Sequence, residues 1–150
     1  MITKPFIWFL LLSADLRYLP AQAQGAFAGT GHLSTERMGH TATLLTNGKV
    51  LVAGGSALLA GQPVWASAEL YDPLTGAFAL TNSMTTPRVG HTATSLPDGR
   101  VLIVGGDRLG GDWGATSQAS AEIYDPVTQR FTKTGALTAR RIFHTRHPAQ

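Results

Sequence analysis

An internal repeat constrains the fold of this chain more than any other feature of its sequence. Residues 37–55 are RMGHTATLLTNGKVLVAGG, and residues 88–106 are RVGHTATSLPDGRVLIVGG, an offset of 51 positions. The segment SAELYDP at residues 67–73 returns as SAEIYDP at residues 120–126, and a third copy begins at Arg141. A period near fifty residues is typical of repeat architectures in which each repeat is one supersecondary unit.

Each repeat carries the signals for four antiparallel strands. Asn47-Gly48 and Asp98-Gly99 supply residues that tolerate positive φ, which favours tight hairpins. Asp-Pro at positions 72–73 and 125–126 initiates a second turn. The predicted strands are residues 40–45, 49–53, 68–71 and 77–81 of the first repeat, with 100–104, 121–124 and 130–134 among their counterparts. The unbroken Val, Leu and Ile content of 49–53 and 100–104 predicts strands that are buried on both faces.

Composition excludes several classes of protein. A hydrophobic content of 43% with 14% charged residues is typical of a folded chain, and no long apolar stripe of helical period follows residue 25. The net charge of +3 is small and the basic residues recur once per repeat, so the sequence carries no nucleic-acid footprint. The cysteine count is 0, which removes disulfides, thiolate metal sites and a cysteine nucleophile.

The N-terminus has the three parts of a signal peptide. Lys4 precedes the apolar run PFIWFLLLSA at residues 5–14, and Ala21-Gln22-Ala23 offers the small residues that a signal peptidase requires. We expect export, with cleavage after Ala23, to the periplasm or the exterior. An uncleaved signal anchor and a wrongly chosen start codon are the alternatives, because Asp15 and Arg17 follow the apolar run directly.

Two connections vary in length between the repeats, residues 56–66 and residues 107–119. Such variation marks surface loops, and loops on a rigid scaffold often carry binding residues. The candidate binding residues are Trp65, Asp107, Arg108, Asp112 and Trp113. Each tryptophan is either an exposed anchor for a protein or sugar or a side chain folded onto its own repeat. The spacing of Asp107 and Asp112 is weak evidence for a cation site, and we predict no metal.

The repeated elements together resemble the kelch repeat. Arg-x-Gly-His-Thr-Ala, a strand ending in Gly-Gly, a variable loop, Ala-Glu-x-Tyr-Asp-Pro-x-Thr and a late aromatic all occur, although Phe27, Phe78 and Phe131 stand where kelch repeats usually have Trp. The resemblance implies an all-β fold of two four-stranded antiparallel propeller blades plus the start of a third. The blades would occupy residues 24–145, with repeats at 37–87 and 88–140 and a third from 141, and residues 146–150 form a non-repeat tail.

Residues that recur at one position per repeat are predicted to be structural. We expect each His and Arg to bond backbone carbonyls or the repeated Glu between blades, and each Tyr to be a core aromatic. Histidines placed once per blade would be spread around an axis and would not converge on a metal ion. These residues are Arg37, His40, Gly54, Gly55, Glu69, Tyr71, Arg88, His91, Gly105, Gly106, Glu122 and Tyr124.

Two blades cannot close a propeller, which has about four to eight. We therefore expect either a truncated member of the family or several copies that complete a ring. Phe143, where the earlier repeats have Gly39 and Gly90, favours truncation.

The predicted function is a secreted binding module that recognises a protein or glycan without catalysis or cofactor. The alternative is a fragment of a galactose oxidase-like carbohydrate oxidase, a family that the blades also resemble. Its copper site uses two tyrosines, two histidines and a cysteine linked to one tyrosine. The absence of cysteine excludes that linkage here.

Overall fold

The computed structural model describes residues 29–57, 63–108 and 116–143. These residues form eight β-strands and contain no helix, as predicted. The strands are β1 (Thr41–Leu44), β2 (Val50–Ala53), β3 (Ala68–Asp72), β4 (Ala77–Leu80), β5 (Thr92–Ser95), β6 (Val101–Val104), β7 (Ser120–Asp125) and β8 (Arg130–Ala136). Several predictions fall outside the described residues, namely the signal peptide at 1–23, Phe27, Asp112, Trp113, His144 and the tail at 146–150.

The strands form two antiparallel sheets in simple meander order, β1-β2-β3-β4 (blade 1) and β5-β6-β7-β8 (blade 2). The register is the same in both blades, because Val50 pairs with Tyr71 and Val101 pairs with Tyr124. The last strand of blade 2 extends to Ala136, with a β-bulge between Ser120 and Glu122 opposite it. The prediction of two four-stranded blades is confirmed.

The first hairpin of each blade closes at the predicted glycine but with a different turn. The amide of Leu45 donates to the carbonyl of Lys49 and that of Leu96 to Arg100, both at 2.8 Å, so three residues lie in each loop. Gly48 and Gly99 have φ of 82° and 84°, whereas Asn47 and Asp98 do not have positive φ. A three-residue loop needs a single left-handed residue at its end, and glycine supplies it without steric cost.

The two blades pack face to face around one apolar core. Leu51 and Ala53 of blade 1 are each 1% exposed and belong to the same cluster as Val101 and Ile103 of blade 2, which are 0% exposed. The side chains of a strand alternate between its faces, so these residues form the sides of the sheets that meet.

The prediction that the second strand is buried on both faces fails for blade 2. Val101 and Ile103 are buried, but Leu102 and Val104 are half-buried. Leu102 and Val104 occupy the positions of Leu51 and Ala53, which blade 2 covers. No further blade covers that face among the described residues. The prediction from the repeat therefore holds only where an adjacent blade packs against the strand.

No helix long and apolar enough to cross a membrane occurs within residues 29–57, 63–108 and 116–143.

Candidate functional site

A buried ion pair lies in each blade. In blade 2, Nη2 of Arg88 lies 3.1 Å from Oε1 of Glu122, and both side chains are 0% exposed. The same guanidinium donates to the carbonyls of Gly105 and Ser120 at 2.7 and 2.9 Å. These two kinds of bond were expected between blades. Both instead join the segment that enters a blade to that same blade.

The equivalent pair in blade 1 repeats the ion pair and the two backbone contacts. Nη2 of Arg37 lies 2.8 Å from Oε1 of Glu69, and Nη1 donates to the carbonyls of Gly54 and Ser67. A buried pair of this kind contributes little net stability, but removal of one partner leaves the other charge buried and uncompensated. The repetition of the ion pair and of both carbonyl contacts identifies them as part of the blade architecture.

The second oxygen of each glutamate holds the segment that enters the blade. The backbone amide of Ser34 donates to Oε2 of Glu69 at 2.8 Å, and that of Thr85 donates to Oε2 of Glu122 at 2.7 Å. Both carboxylates therefore accept hydrogen bonds at both oxygens. This full use favours a structural role over general acid or base chemistry, which requires a group that reaches a substrate.

The repeated histidines have different surroundings. Nε2 of His91 lies 2.9 Å from Oγ1 of Thr41, which joins blade 2 to blade 1, and His91 is 5% exposed. His40 is exposed, and its Nδ1 lies 3.1 Å from the carbonyl oxygen of Arg37. In the part of the chain that the structure describes, no three His, Asp or Glu side chains are grouped so as to hold a metal ion.

The repeated tyrosines pack against the aromatic residue of the last strand. The ring centroids of Tyr71 and Phe78 lie 4.8 Å apart, and those of Tyr124 and Phe131 lie 4.7 Å apart. The Tyr124 hydroxyl lies 3.2 Å from Oγ1 of Thr81. Burial raises the pKa of Tyr124 and outweighs the opposing effect of that hydrogen bond. Tyr124 is 0% exposed, which is the core position expected of it, and Tyr71 is half-buried.

The paired glycines form the backbone junction between successive units. The amide of Gly55 donates to the carbonyl of Arg88 at 2.8 Å, and that of Gly106 donates to Arg141 at 2.9 Å. Gly54 has a φ of 66°, and a Cβ on it would lie 2.5 Å from the Arg88 carbonyl oxygen. The glycines thus permit the close approach that the sequence predicted. Gly105 has a φ of 69°, so the conformation is shared by both blades.

Three of the five candidate binding residues lie within the described residues, and they occupy different environments. Trp65 is half-buried, and its backbone bonds both Gly55 and Arg88. The indole nitrogen is buried and has no hydrogen-bond partner among the described residues. Asp107 is 0% exposed and accepts a hydrogen bond from the Thr116 hydroxyl. Arg108 is exposed. Of these three, therefore, Arg108 alone presents its charged group to solvent.

A pocket of about 440 Å³ lies beside Arg108 on blade 2. Its lining residues are Arg108, Thr116, Ser117, Gln118, Ala119, Ser120 and Arg140. Arg140 was not singled out by sequence reasoning. Alignment of the repeats is the signal that could have found it, since Pro87 occupies its position in the first repeat.

Carboxylates at the turns are held in their charged form. The backbone amide of Leu74 donates to Oδ1 of Asp72 at 2.9 Å, and this bond, followed by Lys49, lowers the pKa of Asp72. The amide of Val127 likewise lowers the pKa of Asp125. The Arg100 side chain has the largest effect on Asp98 and also lowers its pKa. These pKa shifts arise from the geometry of surface turns. The three carboxylates belong to separate turns and do not form a common site.

The fold and its junctions define this chain as a pair of propeller-like blades. No protein-family model and no curated protein sequence matches it. Among solved structures, a fungal alcohol oxidase of the AA5 family in complex with copper is similar, with 24% identity and a TM-score of 0.61. The similarity covers 70% of this chain and 23% of that chain. At this identity the likeness establishes the fold alone.

Proposed function

We propose that the chain is a non-catalytic binding module whose loop end recognises a protein or glycan. The loop end comprises the connections after β2 and β6. The observation that carries the proposal is that the repeated arginines and glutamates bond the backbone of their own blade. The side chains that differ most between the two repeats lie in the connections of unequal length. Binding residues are often found in such loops.

The AA5 alcohol oxidase supports a second candidate, a blade segment of a copper-dependent alcohol or carbohydrate oxidase. The chain spans less than a quarter of that protein. The described residues do not fit a copper site of the galactose oxidase kind, because Tyr71 and Tyr124 lie in separate blades with their hydroxyls near threonines. The sequence also contains no cysteine. In this alternative the two blades would supply the wall of the propeller, and the copper ligands would stand on other blades.

We also propose that residues 1–23 direct export and that the module acts in the periplasm or outside the cell. The apolar run and the small residues at 21–23 support this. Intact-mass measurement of the exported product tests the cleavage, because a start at Gln24 is expected. A product that retains Met1 would contradict it.

A glycan and protein array probed with residues 24–150 separates the two functions. We expect selective binding that Arg108→Ala weakens. Arg130→Ala is the matched control, because Arg130 is also exposed but begins β8 at the opposite end of the blade. Equal loss in both variants would overturn the loop-end assignment. Hydrogen peroxide release from alcohols or sugars after copper loading would favour the oxidase and overturn the non-catalytic function.

A further inference from the structure

The pocket beside Arg108 contrasts with the same region of blade 1. The bridges Ser56 to Val64 and Asp107 to Ser117 fix how the two connections correspond. Six of the lining residues are polar or basic in blade 2, and five of them differ from blade 1: Arg108, Thr116, Ser117, Gln118 and Arg140. The corresponding residues of blade 1 are Ala57, Pro63, Val64, Trp65 and Pro87.

All five positions therefore change from apolar to polar or basic between the repeats. The remaining two lining residues, Ala119 and Ser120, are the same as Ala66 and Ser67. Residues that the fold requires recur in both blades, as the buried Arg–Glu pairs do. Since blade 1 folds with apolar residues at these five positions, the fold does not demand the polar set in blade 2.

Several polar atoms of the pocket already have partners. Nε2 of Gln118 donates to the carbonyl of Pro87 at 3.0 Å, and the Ser120 hydroxyl donates to Oε1 of Gln118 at 3.3 Å. The Thr116 hydroxyl donates to Asp107. The remaining strong donors are two guanidinium groups, because neither Arg108 nor Arg140 forms a salt bridge within the described residues. A guanidinium presents its donors as a fork that matches a carboxylate or sulfate.

Two positively charged side chains line the pocket, those of Arg108 and Arg140. The carboxylate of Asp107, which accepts a hydrogen bond from the Thr116 hydroxyl, is buried and does not line the pocket. The hydroxyl and amide oxygens around the guanidinium groups suit sugar hydroxyls, which both donate and accept hydrogen bonds.

We propose that this pocket binds an acidic sugar through its carboxylate or sulfate group, held by Arg108 and Arg140. A volume of about 440 Å³ lies within the range of small-ligand pockets. The assignment rests on the proposed binding function and names the ligand class of its loop end. Neutral sugars lack the group that the two guanidinium groups recognise, so they should bind weakly or not at all.

Calorimetric titration of residues 24–150 tests the pocket with four probes: glucuronate, glucose 6-sulfate, glucose and N-acetylaspartate. We expect saturable binding of glucuronate or the sulfated sugar and none of glucose. Arg108→Gln and Arg140→Gln should each weaken binding about tenfold or more, since each removes a charge-assisted contact. Arg130→Gln should bind as the unaltered chain does, and unfolding midpoints should confirm that all variants fold.

Three outcomes would overturn the acidic-sugar pocket: binding of glucose as tight as that of glucuronate, equal binding by the arginine variants, or equally tight binding of N-acetylaspartate. The last outcome would mark a carboxylate site without sugar selectivity. Array binding of neutral glycans that is unchanged in Arg108→Gln and Arg140→Gln would support the binding module and overturn the pocket. Peroxide release after copper loading would overturn the non-catalytic module, while the titration would still decide the pocket.

Discussion

His91 of blade 2 reaches Thr41 of blade 1, with Nε2 of the imidazole 2.9 Å from Oγ1 of the hydroxyl. The equivalent His40 is exposed and bonds only the carbonyl of Arg37 among the described contacts. The histidine at this repeat position therefore contacts the preceding blade in blade 2, whereas the histidine of blade 1 has no preceding blade among the described residues.

His91→Leu should lower the free energy of unfolding by about 1–3 kcal/mol, because a buried polar contact between the blades is lost. His40→Leu is the control, and its effect should stay within about 0.5 kcal/mol since His40 is exposed. Urea unfolding followed by circular dichroism measures both. Equal effects would show that His91 does not join the blades, and a loss of bound metal in His91→Leu would contradict the structural role.

Glu122→Gln should be far more damaging than its small change in shape implies. The Arg88 side chain is 0% exposed, so neutralising its partner leaves a buried charge uncompensated, at a cost of about 3–5 kcal/mol. The double variant Arg88→Met with Glu122→Gln should recover part of that loss, because the stranded charge is removed.

The exposed pair of Asp98 and Arg100 is the control for this cycle. Its nitrogen and oxygen lie 2.6 Å apart, but the side chains are 48% and 46% exposed. Asp98→Asn should therefore change stability by less than about 1 kcal/mol. Urea unfolding of the unaltered chain, Arg88→Met, Glu122→Gln and the double variant measures the coupling, and strict additivity at the buried pair would contradict the argument.

Gly54→Ala should destabilise the chain more than Gly48→Ala does. Both glycines have positive φ, at 66° and 82°, so both substitutions carry the left-handed cost of about 1 kcal/mol. A Cβ on Gly54 would also lie 2.5 Å from the Arg88 carbonyl oxygen, whereas one on Gly48 meets nothing within 4 Å. The difference in unfolding midpoint isolates the blade junction, and equal midpoints would show that the junction yields freely.

The sequence predicted the strands well because the repeat provides two aligned copies of each turn. Asn47-Gly48 and Asp98-Gly99 located the first hairpins even though only the glycines adopt positive φ. Burial was less predictable, since Leu102 and Leu51 occupy one repeat position and differ in what covers them.

The candidate site was predicted only in part. Arg108 lies in a loop whose length varies, so it was found, but Arg140 lies in a segment of constant length. Arg140 stands out only when the repeats are aligned, because the other repeat has Pro87 at this position. Arg140 also lines a pocket that is formed by chain segments distant in sequence. Proximity of that kind arises from the fold and not from a local pattern.

Stability should fall in acid as the turn carboxylates become protonated. The pKa of Asp72 is lowered below its ordinary value of 3.8 by the Leu74 amide and by Lys49. A lowered pKa in the folded chain means that the stabilisation is complete above about 3.8 and is lost as the pH falls through the folded pKa. Asp72→Asn should therefore be less stable than the unaltered chain at pH 6, and the two should converge below pH 3.8. A gap that is constant over pH would contradict the assignment.

Removal of residues from both ends of the chain should allow copies of it to assemble. The amide of Phe143 donates to the Gly90 carbonyl at 2.8 Å, as Gly90 donates to Gly39 at 2.9 Å. Residues 133–143 therefore occupy the place on blade 2 that residues 29–39 of a second copy would need. A chain of residues 30–133 has ends that meet in repeat register, because position 134 corresponds to position 30. We expect this trimmed chain to form discrete oligomers of two to four copies, since rings of about four to eight blades close.

Light scattering after size-exclusion chromatography measures the mass of the trimmed chain and of residues 24–150. The apolar face that a second copy would cover includes Leu102, which is half-buried in the single chain. Leu102→Asp should return the trimmed chain to a monomer, because a charge would be desolvated in the new junction. Oligomers that persist in Leu102→Asp would show assembly through another surface. A monomeric trimmed chain would show that blade 2 does not accept a second copy of blade 1.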